Sequence, residues 1–409
     1  MLKAYHYRLY PNAKQQEMLA KHFGCARFIY NWGLDTKTRA YVKTKKSLSV
    51  YALKERLPEM KAKLPWLSEV NSQSLQSSLF NLDAAFTNFF RRSREGAKQK
   101  GYPRFKEKNG RQSFQCPQSV KFDFEHNRIS IPKVKEIKVV FSRKFEGKVK
   151  TVTISKTPAQ HYFVSVLVET KDLVPAKPKI NRETAVGIDL GLKDFAILSN
   201  GEKIANPRFN YKMQTRLRRL NRRISRQFRM NNNKHTKNRD KNCIKRARVF
   251  EKNTNQKMDF LNKLSTRLIC ENQTICLEDL NISGMMKNHK VAESFASVSL
   301  SKFVEMMKYK AEWYGKNLLF IGRFDPSSKI SNCCGYYNKN LKLSDRSWIC
   351  PDCGKILDRD VNAARNIVDF ALQKQNLIEQ VPLDKRELTL QEMEPLLVRE
   401  KLSASPVIE

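Results

Sequence analysis

The spacing of apolar residues changes twice along this chain, and each change predicts a different kind of fold. Between residues 112 and 170 apolar and polar side chains alternate, which is typical of strands that bury one face. Tyr5, Tyr7 and Leu9 alternate in the same way and predict an opening strand. Five further strands are predicted at 120–124, 128–131, 137–141, 149–155 and 162–168. We expect these strands to form a small β-barrel.

A helical block interrupts the predicted barrel after its first strand. From Ala13 to Arg94 apolar residues recur at helical spacing, as at Leu75, Leu79 and Leu82. The Lys-Ala-Lys-Leu-Pro-Trp sequence at 61–66 breaks the pattern, so several helices are predicted rather than one.

The segment 172–179 is the predicted domain boundary, because its two prolines and its lysines favour an extended linker. An α/β pattern follows it, with strands predicted at 184–190, 195–198, 274–277 and 318–322 and a helix at 360–371. The chain therefore combines a β-barrel with an α/β domain.

The charge balance points to a polyanionic partner. The chain has 409 residues, of which 78 are Lys or Arg and 40 are Asp or Glu, so its formal net charge is +38. With 40% hydrophobic residues it is globular in composition. A compact body with this charge repels itself unless nucleic acid or another polyanion neutralises it.

The basic residues are densest between 208 and 252, where 17 Lys and Arg accompany only two acidic residues. Met213, Leu217, Leu220, Ile224 and Phe228 form one narrow apolar stripe, which predicts a helix. A second helix through residues 261–268 is expected to return antiparallel to it. A solvated helical hairpin is the simpler interpretation, but charge this dense favours nucleic-acid contact.

Three acidic residues occupy places where packing alone explains a carboxylate poorly. Asp189 interrupts an apolar strand, Glu278 ends a second strand, and Asp360 opens a helix. A carboxylate in a central strand is costly unless it is paired or bound to a cation. Taken alone, Asp360 could be a helix N-cap and Glu278 a loop residue. Together they suit two Mg²⁺ ions about 3.5–4 Å apart, as in an RNase H-like nuclease.

The nine cysteines predict a metal site in a reducing compartment, because four lie between 333 and 353 and the others are scattered. Cys350-Pro-Asp-Cys353-Gly354 has the spacing of a zinc knuckle. The chain opens without an apolar signal core, and its longest apolar stretches are only strand length. We therefore expect a cytoplasmic protein, in the cytosol or nucleoid of a prokaryote, with no membrane partner.

The acidic motifs resemble those of a known family. Gly187-Ile-Asp-Leu-Gly-Leu-Lys-Asp-Phe-Ala196, Leu277-Glu-Asp-Leu280 and Asp358-Arg-Asp-Val-Asn-Ala-Ala-Arg-Asn-Ile367 are similar to the three RuvC motifs of TnpB, insertion-sequence proteins related to type V CRISPR effectors. Further landmarks of the resemblance are Leu9-Tyr-Pro-Asn12, Arg27-Phe-Ile-Tyr-Asn31, Leu75-Gln-Ser-Ser-Leu79, Asn88-Phe-Phe-Arg91, Gly101-Tyr-Pro-Arg-Phe-Lys106 and Ser344-Asp-Arg-Ser-Trp348. Together these motifs cover about residues 5–370.

The resemblance implies a RuvC nuclease domain preceded by a wedge β-barrel that carries a helical recognition insert. The barrel would comprise residues 1–12 and 96–175, and the helical insert residues 13–95. The RuvC domain would comprise 180–325 and 355–375, with a basic hairpin at 208–270. A zinc-ribbon-like target-nucleic-acid-binding insert would occupy 326–354, and the tail at 376–409 is expected to be partly disordered.

The resemblance also implies an activity, namely RNA-guided, metal-dependent cleavage of double-stranded DNA beside a short flanking motif. Asp189, Glu278 and Asp360 would be the catalytic acids and would hold two Mg²⁺ ions, with Asp360 rather than Asp358 matching the third motif. The guide RNA would derive from the end of a transposable element. Gln76 would contact the flanking duplex, and we infer from charge that a set of arginines lines the hybrid channel: Arg216, Arg219, Arg222, Arg223 and Arg226.

The first zinc knuckle departs from the family pattern of Cys-x-x-Cys-Gly. It reads Ser331-Asn-Cys-Cys-Gly335, so Cys334 matches the second ligand and Ser331 stands at the position of the first. We predict a structural Zn²⁺ site of Cys334, Cys350 and Cys353, with Cys333 or water as the fourth ligand. A ribbon that binds zinc weakly or not at all is the alternative.

The sequence is also compatible with two other functions. A transposase-like strand transferase would use the same acids, because both chemistries employ two metals. A guide-dependent DNA-binding regulator would not cleave, but its signature would be a broken acidic triad, and all three acids are present.

Overall fold

The computed structural model describes residues 1–97, 100–230, 236–285, 299–323, 325–342 and 344–375, excluding the side chains of 212, 282 and 283. The chain divides into two compact units. Unit 1 comprises Met1–Leu173 and Thr215–Lys252, and unit 2 comprises Val174–Gln214 and the chain from Asn253 onward. The tail predicted at 376–409 lies outside the described residues.

Unit 1 is built around one antiparallel sheet of seven strands. They are β1 (Leu2–Tyr10), β2 (Gln112–Cys116), β3 (Lys121–Asp123), β4 (Arg128–Ile131), β5 (Val134–Val140), β6 (Lys148–Lys156) and β7 (Tyr162–Glu169). Their order is β2-β6-β7-β1-β5-β4-β3, so the first strand of the chain lies in the middle of the sheet. In β1 Leu2 pairs with Glu169, and Arg8 pairs with both Phe163 and Val140.

The small β-barrel that the sequence predicts takes the form of a curled antiparallel half-barrel, in which β2 and β3 form the two edges of the sheet. The five predicted strands and the opening strand are confirmed. The edge strand β2 carries only two buried residues, Phe114 and Cys116, which explains why its pattern was too short to predict.

The helices of unit 1 pack on one face of this sheet and on one another. They are α1 (Ala13–Thr44), α2 (Val50–Glu55), α3 (Leu57–Lys63) and α4 (Ser72–Arg94), with a 3₁₀ turn at Pro65–Glu69 where the sequence predicted a break. Leu19, Phe23 and Ala26 of α1 join the sheet core. Ile29 on the same helix packs against Leu75 of α4 in a second core.

Unit 2 contains a five-stranded mixed sheet. Its strands are β8 (Ala185–Leu190), β9 (Asp194–Leu198), β10 (Lys203–Ala205), β11 (Thr274–Glu278) and β12 (Asn317–Ile321), in the order β10-β9-β8-β11-β12. The first three form an antiparallel meander, and β11 runs parallel to both β8 and β12. The predicted strands are confirmed, and β10 is the addition.

Helices cover both faces of the sheet in unit 2. Alternate residues of strand β11 belong to separate hydrophobic cores on the two faces: Ile275 and Leu277 to one core, and Cys276 to the other. Three helices of this part of the chain lie wholly in unit 2: α7 (Ile282–Met285), α8 (Leu300–Trp313) and α9 (Arg359–Gln373). Two longer ones lie partly in unit 2: α5 (Phe209–Met230) and α6 (Lys237–Glu271). The end of α6 and α8 supply the first core, and α9 supplies the second.

Helices α5 and α6 form the predicted basic hairpin; within them residues 215–230 and 237–252 belong to unit 1, and the remaining residues of each helix to unit 2. Three side-chain pairs show their antiparallel register: Gln227 with Asn242 at 2.9 Å, Asn221 with Arg246 at 3.3 Å, and Asn210 with Asn253 at 2.6 Å. Residues 231–235, which connect the two helices in the sequence, lie outside the described residues. No helix in the described ranges is both long and apolar enough to cross a membrane.

Candidate active site

Asp189 and Glu278 meet at one edge of the sheet because their strands are parallel neighbours. Ile188 pairs with Leu277, so the next residue on each strand, Asp189 and Glu278, lies at the same level. Both carboxylates sit near the carboxyl ends of their strands. The alternative interpretation of Glu278 as a loop residue is wrong, since it is the last residue of β11.

Asp360 reaches the same edge from the first turn of α9. This helix packs across β8 so closely that a methyl group on Gly187 would overlap the carbonyl oxygen of Ala364. The N-cap of α9 is Asp358, whose side chain accepts hydrogen bonds from the backbone N–H groups of Asp360 and Val361 at 3.1 and 3.0 Å. Asp358 is therefore the capping residue of α9. The carboxylate of Asp360 is not used as a cap and lies near Asp189.

Asp189 lies close enough to Glu278 and Asp360 for both carboxylates to repel its charge. Burial, followed by the negative charges of Glu278 and Asp360, raises the pKa of Asp189 to about 7. Burial also raises the pKa of Glu278, with a smaller contribution from the charge of Asp325. The hydroxyl of Ser327 opposes that rise by donating a hydrogen bond of 2.7 Å to Glu278 Oε1. Burying Asp189 beside two further carboxylates is electrostatically unfavourable without a cation.

Two arginines partly satisfy Asp360. Arg346 Nη1 lies 3.2 Å from one carboxylate oxygen of Asp360, and Arg359 Nε lies 3.6 Å from the other. The charge of Arg359 also lowers the pKa of Asp189, although burial and the neighbouring acids outweigh it. The oxygen donors and the excess of negative charge fit hard divalent cations such as Mg²⁺.

Two buried asparagines on α9 hold the segment that carries Ser327. Asn366 Nδ2 donates to the carbonyl oxygen of Ser327 at 2.7 Å, and Asn362 Nδ2 donates to that of Ile330 at 2.6 Å. Each asparagine is 2% exposed. Sequence reasoning missed the roles of Ser327, Asn366 and Arg346, because each depends on contacts between distant parts of the chain.

A second cluster of possible ligands, the thiol group of Cys334, Cys350 and Cys353, lies beside a short hairpin. The hairpin strands are β13 (Ser347–Ile349) and β14 (Ile356–Asp358). The sulfurs of Cys334, Cys350 and Cys353 all lie within 4.8 Å of one another, and those of Cys334 and Cys350 are 3.4 Å apart. Among the described residues this is the one group of three or more His, Cys, Asp or Glu ligand atoms gathered so tightly.

The structure leaves Cys333 outside the thiol group. Cys333 is exposed, and its sulfur interacts with the ammonium of Lys355. Ser331 instead lies beside Cys334 and Cys350. Burial raises the pKa of Cys334 to about 11, whereas at Cys350 the effect of burial is outweighed, mainly by hydrogen bonds from the backbone N–H groups of Cys353 and Asp352, which lower the pKa to about 7. Ser331 is 1% exposed, and its Oγ has no oxygen or nitrogen partner. The three thiols match three of the four ligands of a tetrahedral structural zinc ion in type and number.

The predicted nucleic-acid residues are positioned on helix surfaces. All five arginines of the predicted set on α5 are exposed, and none pairs with a carboxylate among the residues that the structure describes: Arg216, Arg219, Arg222, Arg223 and Arg226. Gln76 lies partly exposed on α4, three residues after Gln73, which binds Gln118 at 2.9 Å. These positions leave the side chains accessible to a partner.

Three known protein families match separate segments that together make up more than half of the chain. Residues 163–289 match a family described as "Probable transposase". Residues 301–367 match the Cas12f1-like TNB domain. Residues 1–46, which here form β1 and α1, match a family described as a helix-turn-helix domain.

Similar proteins extend over nearly the whole length. A protein from Streptomyces pristinaespiralis is 39% identical over 376 residues, which are 90% of this chain and 89% of that one. One from Escherichia coli K12, InsQ, is 30% identical over 386 residues, or 90% and 92% of the two chains. Both are named "Putative RNA-guided DNA endonuclease". The TnpB-like protein L79 of a mimivirus is 27% identical over 218 residues, 49% of this chain and 40% of its own.

A solved structure shares the fold. The protein of a Cas12f1–sgRNA–target DNA complex superposes with a TM-score of 0.55 at 13% identity, over 90% of this chain and 98% of that one. With 39% identity to one relative across nearly all of both sequences, and with matches to the transposase and TNB families, the chain belongs to the TnpB family of insertion-sequence proteins.

Proposed function

We propose that this protein is an RNA-guided DNA endonuclease whose active site is formed by Asp189, Glu278 and Asp360. The observation that carries the proposal is the convergence of these three acids at one sheet edge, where burial and mutual repulsion raise the pKa of Asp189 to about 7. The names of the relatives from Streptomyces pristinaespiralis and Escherichia coli K12, and the fold shared with the protein of a Cas12f1 complex, support the same activity.

The domain containing β8–β12 and α9 would be an RNase H-like RuvC nuclease. Two Mg²⁺ ions, when bound, supply activation of a water and stabilisation of the charge that develops on the phosphate. Asp189 and Asp360 would hold the ions from the central strand and the helix start. Glu278, oriented by Ser327, would complete the oxygen donors. Arg346 and Arg359 would then be released from Asp360 and become available to the negatively charged DNA backbone.

Recognition would be divided between base pairing and the protein. The guide RNA would read the target sequence, and the protein would read a short flanking motif and the shape of the hybrid. We assign Gln76 and the surrounding face of α4 to the flanking duplex. The exposed arginines of α5 have no carboxylate partner in the described ranges, which suits them to the phosphates of the hybrid.

The thiol group would bind one structural Zn²⁺ ion. Cys334, Cys350 and Cys353 supply three thiolates, and the hydroxyl of Ser331 or a water would occupy the fourth position. The ion would tie the β13–β14 hairpin to the segment that contains Ser327, the hydrogen-bond donor to Glu278. This arrangement would link the ribbon to the active site.

The test is cleavage by the purified protein together with the RNA that co-purifies with it. That RNA is sequenced, and a plasmid library carries the matching target beside randomised flanking bases. Mg²⁺-dependent double-strand breaks next to one enriched flanking motif are expected. Joined DNA ends instead of breaks would identify a strand transferase. Stable binding without breaks by a protein with its three acids intact would identify a regulator.

A further inference from the structure

Two motifs whose roles the proposed function leaves open lie against each other in unit 1. They are Arg27–Asn31 on α1 and the irregular segment that contains 101–106. Asn31 and Lys106 exchange two hydrogen bonds: Lys106 N–H donates to Asn31 Oδ1 at 2.8 Å, and Asn31 Nδ2 donates to the carbonyl oxygen of Lys106 at 3.0 Å. The ammonium of Lys106 lies 4.1 Å from the centre of the Tyr30 ring.

The loop after Lys106 is held in shape by one side chain. Gln112 Nε2 donates to the carbonyl oxygens of Glu107 and Lys108 at 3.0 and 2.9 Å. Arg27 Nη1 in turn donates to Gln112 Oε1 at 2.6 Å. The loop therefore has a defined form although it contains neither helix nor strand, and it is anchored to α1 through Arg27.

A cavity of about 260 Å³ lies between this loop and α1. Its lining includes three cations, Arg27, Lys106 and Arg111, against one carboxylate, Glu107, with Phe23 as an apolar element. None of the three cations has a carboxylate within ion-pair distance in the described part of the chain. The volume is just below the roughly 300 Å³ at which pockets for drug-sized ligands begin.

The electrostatics of the cavity favour an anion. Burial lowers the pKa of Lys106, so its charge is held in a partly desolvated place. A phosphate between Lys106 and the two guanidiniums would offset that desolvation. Guanidiniums also match the geometry of phosphate oxygens in paired hydrogen bonds.

We propose that this cavity binds one unpaired nucleotide of RNA, with its phosphate held by Arg27, Lys106 and Arg111. The partner is single-stranded rather than duplex, because an unpaired nucleotide can be splayed into a recess, whereas duplex phosphates stay outside a stack of paired bases. The guanidinium planes of Arg27 and Arg111 offer surfaces on which a base can stack. The inference rests on the proposed function for the identity of the RNA as the guide.

The location is tested by photo-crosslinking with the full-length protein. The probe is a mixed-sequence single-stranded RNA of about 12 nucleotides that carries 4-thiouridine, and adducts are mapped by peptide mass spectrometry. We expect adducts on peptides that contain residues 23–31 or 104–113. Adducts confined to other peptides would contradict the proposal.

The contribution of charge is tested with Arg111→Gln and Lys106→Gln, which remove no hydrogen bond of the loop. Each should weaken RNA binding several-fold and reduce the slope of log affinity against log salt by up to about 0.7, the value expected for the loss of one single-strand phosphate contact. The matched control is Arg39→Gln on α1, whose side chain is 75% exposed and pairs with Asp35. It should leave the slope unchanged.

A slope equal to that of the control in both variants would overturn the proposal. So would a loss of affinity for duplex DNA of the same length with RNA binding intact, since that result would assign the cavity to DNA. Thermal unfolding of each variant checks that the loop is preserved. Neither readout depends on DNA cleavage, so a failure here is distinguishable from a failure of the proposed nuclease activity.

Discussion

At the scale of single residues, Asp189 is the side chain whose position is hardest to explain by stability. Its carboxylate lies beside two others, and its pKa of about 7 shows that the folded protein disfavours its ionised form. A side chain that weakens the metal-free fold and gathers further acids around it is typical of a functional site.

We predict that Asp189→Asn stabilises the metal-free protein increasingly as the pH rises. The folded pKa of Asp189 is about 7, and the ordinary pKa of an aspartate is 3.8. Between these values the folded state keeps a proton that the unfolded state has lost, so wild-type stability falls with rising pH through this window. The gain should be larger at pH 8 than at pH 5 by up to about 3 kcal/mol. Urea unfolding in EDTA at both pH values measures it.

Magnesium provides the control for that prediction. It should raise the free energy of unfolding of the wild type, because it binds only the folded state, and it should raise that of Asp189→Asn much less. An equal stability gain at both pH values would contradict the assigned pKa. Asp189→Ala should abolish cleavage while leaving guide and target binding nearly intact.

The neighbouring acids Asp358 and Asp360 give a matched pair of variants. Asp360→Asn should abolish cleavage, because it removes a carboxylate of the proposed metal site. Asp358→Asn should retain it, since Asn is as good an N-cap as Asp and the lost ion pair with Lys203 is partly exposed. Asp358→Ala should lower the free energy of unfolding by about 1 kcal/mol. Single-turnover cleavage and urea unfolding measure the two effects; a dead Asp358→Asn enzyme would reverse the assignment.

At the scale of elements, the packing of α9 on β8 sets the position of Asp360. Gly187→Ala would place a methyl group where the Ala364 carbonyl oxygen lies, so α9 must shift. We expect a loss of about 1–3 kcal/mol in stability together with slower cleavage. Gly24→Ala is the control: it lies in α1 with no neighbouring atom within 4 Å of the added methyl group, and it should stabilise slightly.

At the same scale, we predict that the thiol group binds zinc. The purified protein should contain close to one zinc per chain by elemental analysis, and Cys350→Ser should lose it and destabilise the ribbon. Cys333→Ser should keep the metal, because Cys333 faces Lys355 and not the other thiols. Ser331→Cys should raise zinc affinity. Loss of zinc from Cys333→Ser would show that the backbone bends to recruit this residue; zinc-free wild type would show that the ribbon folds without an ion.

At the scale of the whole molecule, a net charge of +38 dictates how the protein associates with RNA. We predict that RNA affinity falls by orders of magnitude between roughly 50 and 200 mM salt. Filter binding at several salt concentrations measures the slope. Combining Arg222→Gln with Arg223→Gln should lower that slope, whereas Arg39→Gln should not. A salt-independent affinity would mean that phosphate contacts contribute little.

Local sequence patterns are enough to predict most of the elements and the kind of chemistry in this protein. Periodicity identifies a strand such as β4, where the predicted and observed bounds agree, or a helix such as α5. The cost of burying a carboxylate is also local, so Asp189 is recognisable as a candidate ligand from its apolar neighbours alone. The excess of basic residues indicates a polyanionic partner from composition alone.

Which atoms meet depends on the packing of distant parts of the chain. The parallel pairing of β8 with β11 brings Glu278 beside Asp189, and the close packing at Gly187 brings Asp360 rather than Asp358 to the same edge. Ser327 reaches Glu278 across 49 residues of chain, and Ser331 rather than Cys333 faces the thiols. Periodicity reports which face of an element is buried, but strand order and helix packing arise from the whole core, so such contacts have no signal in any short stretch of sequence.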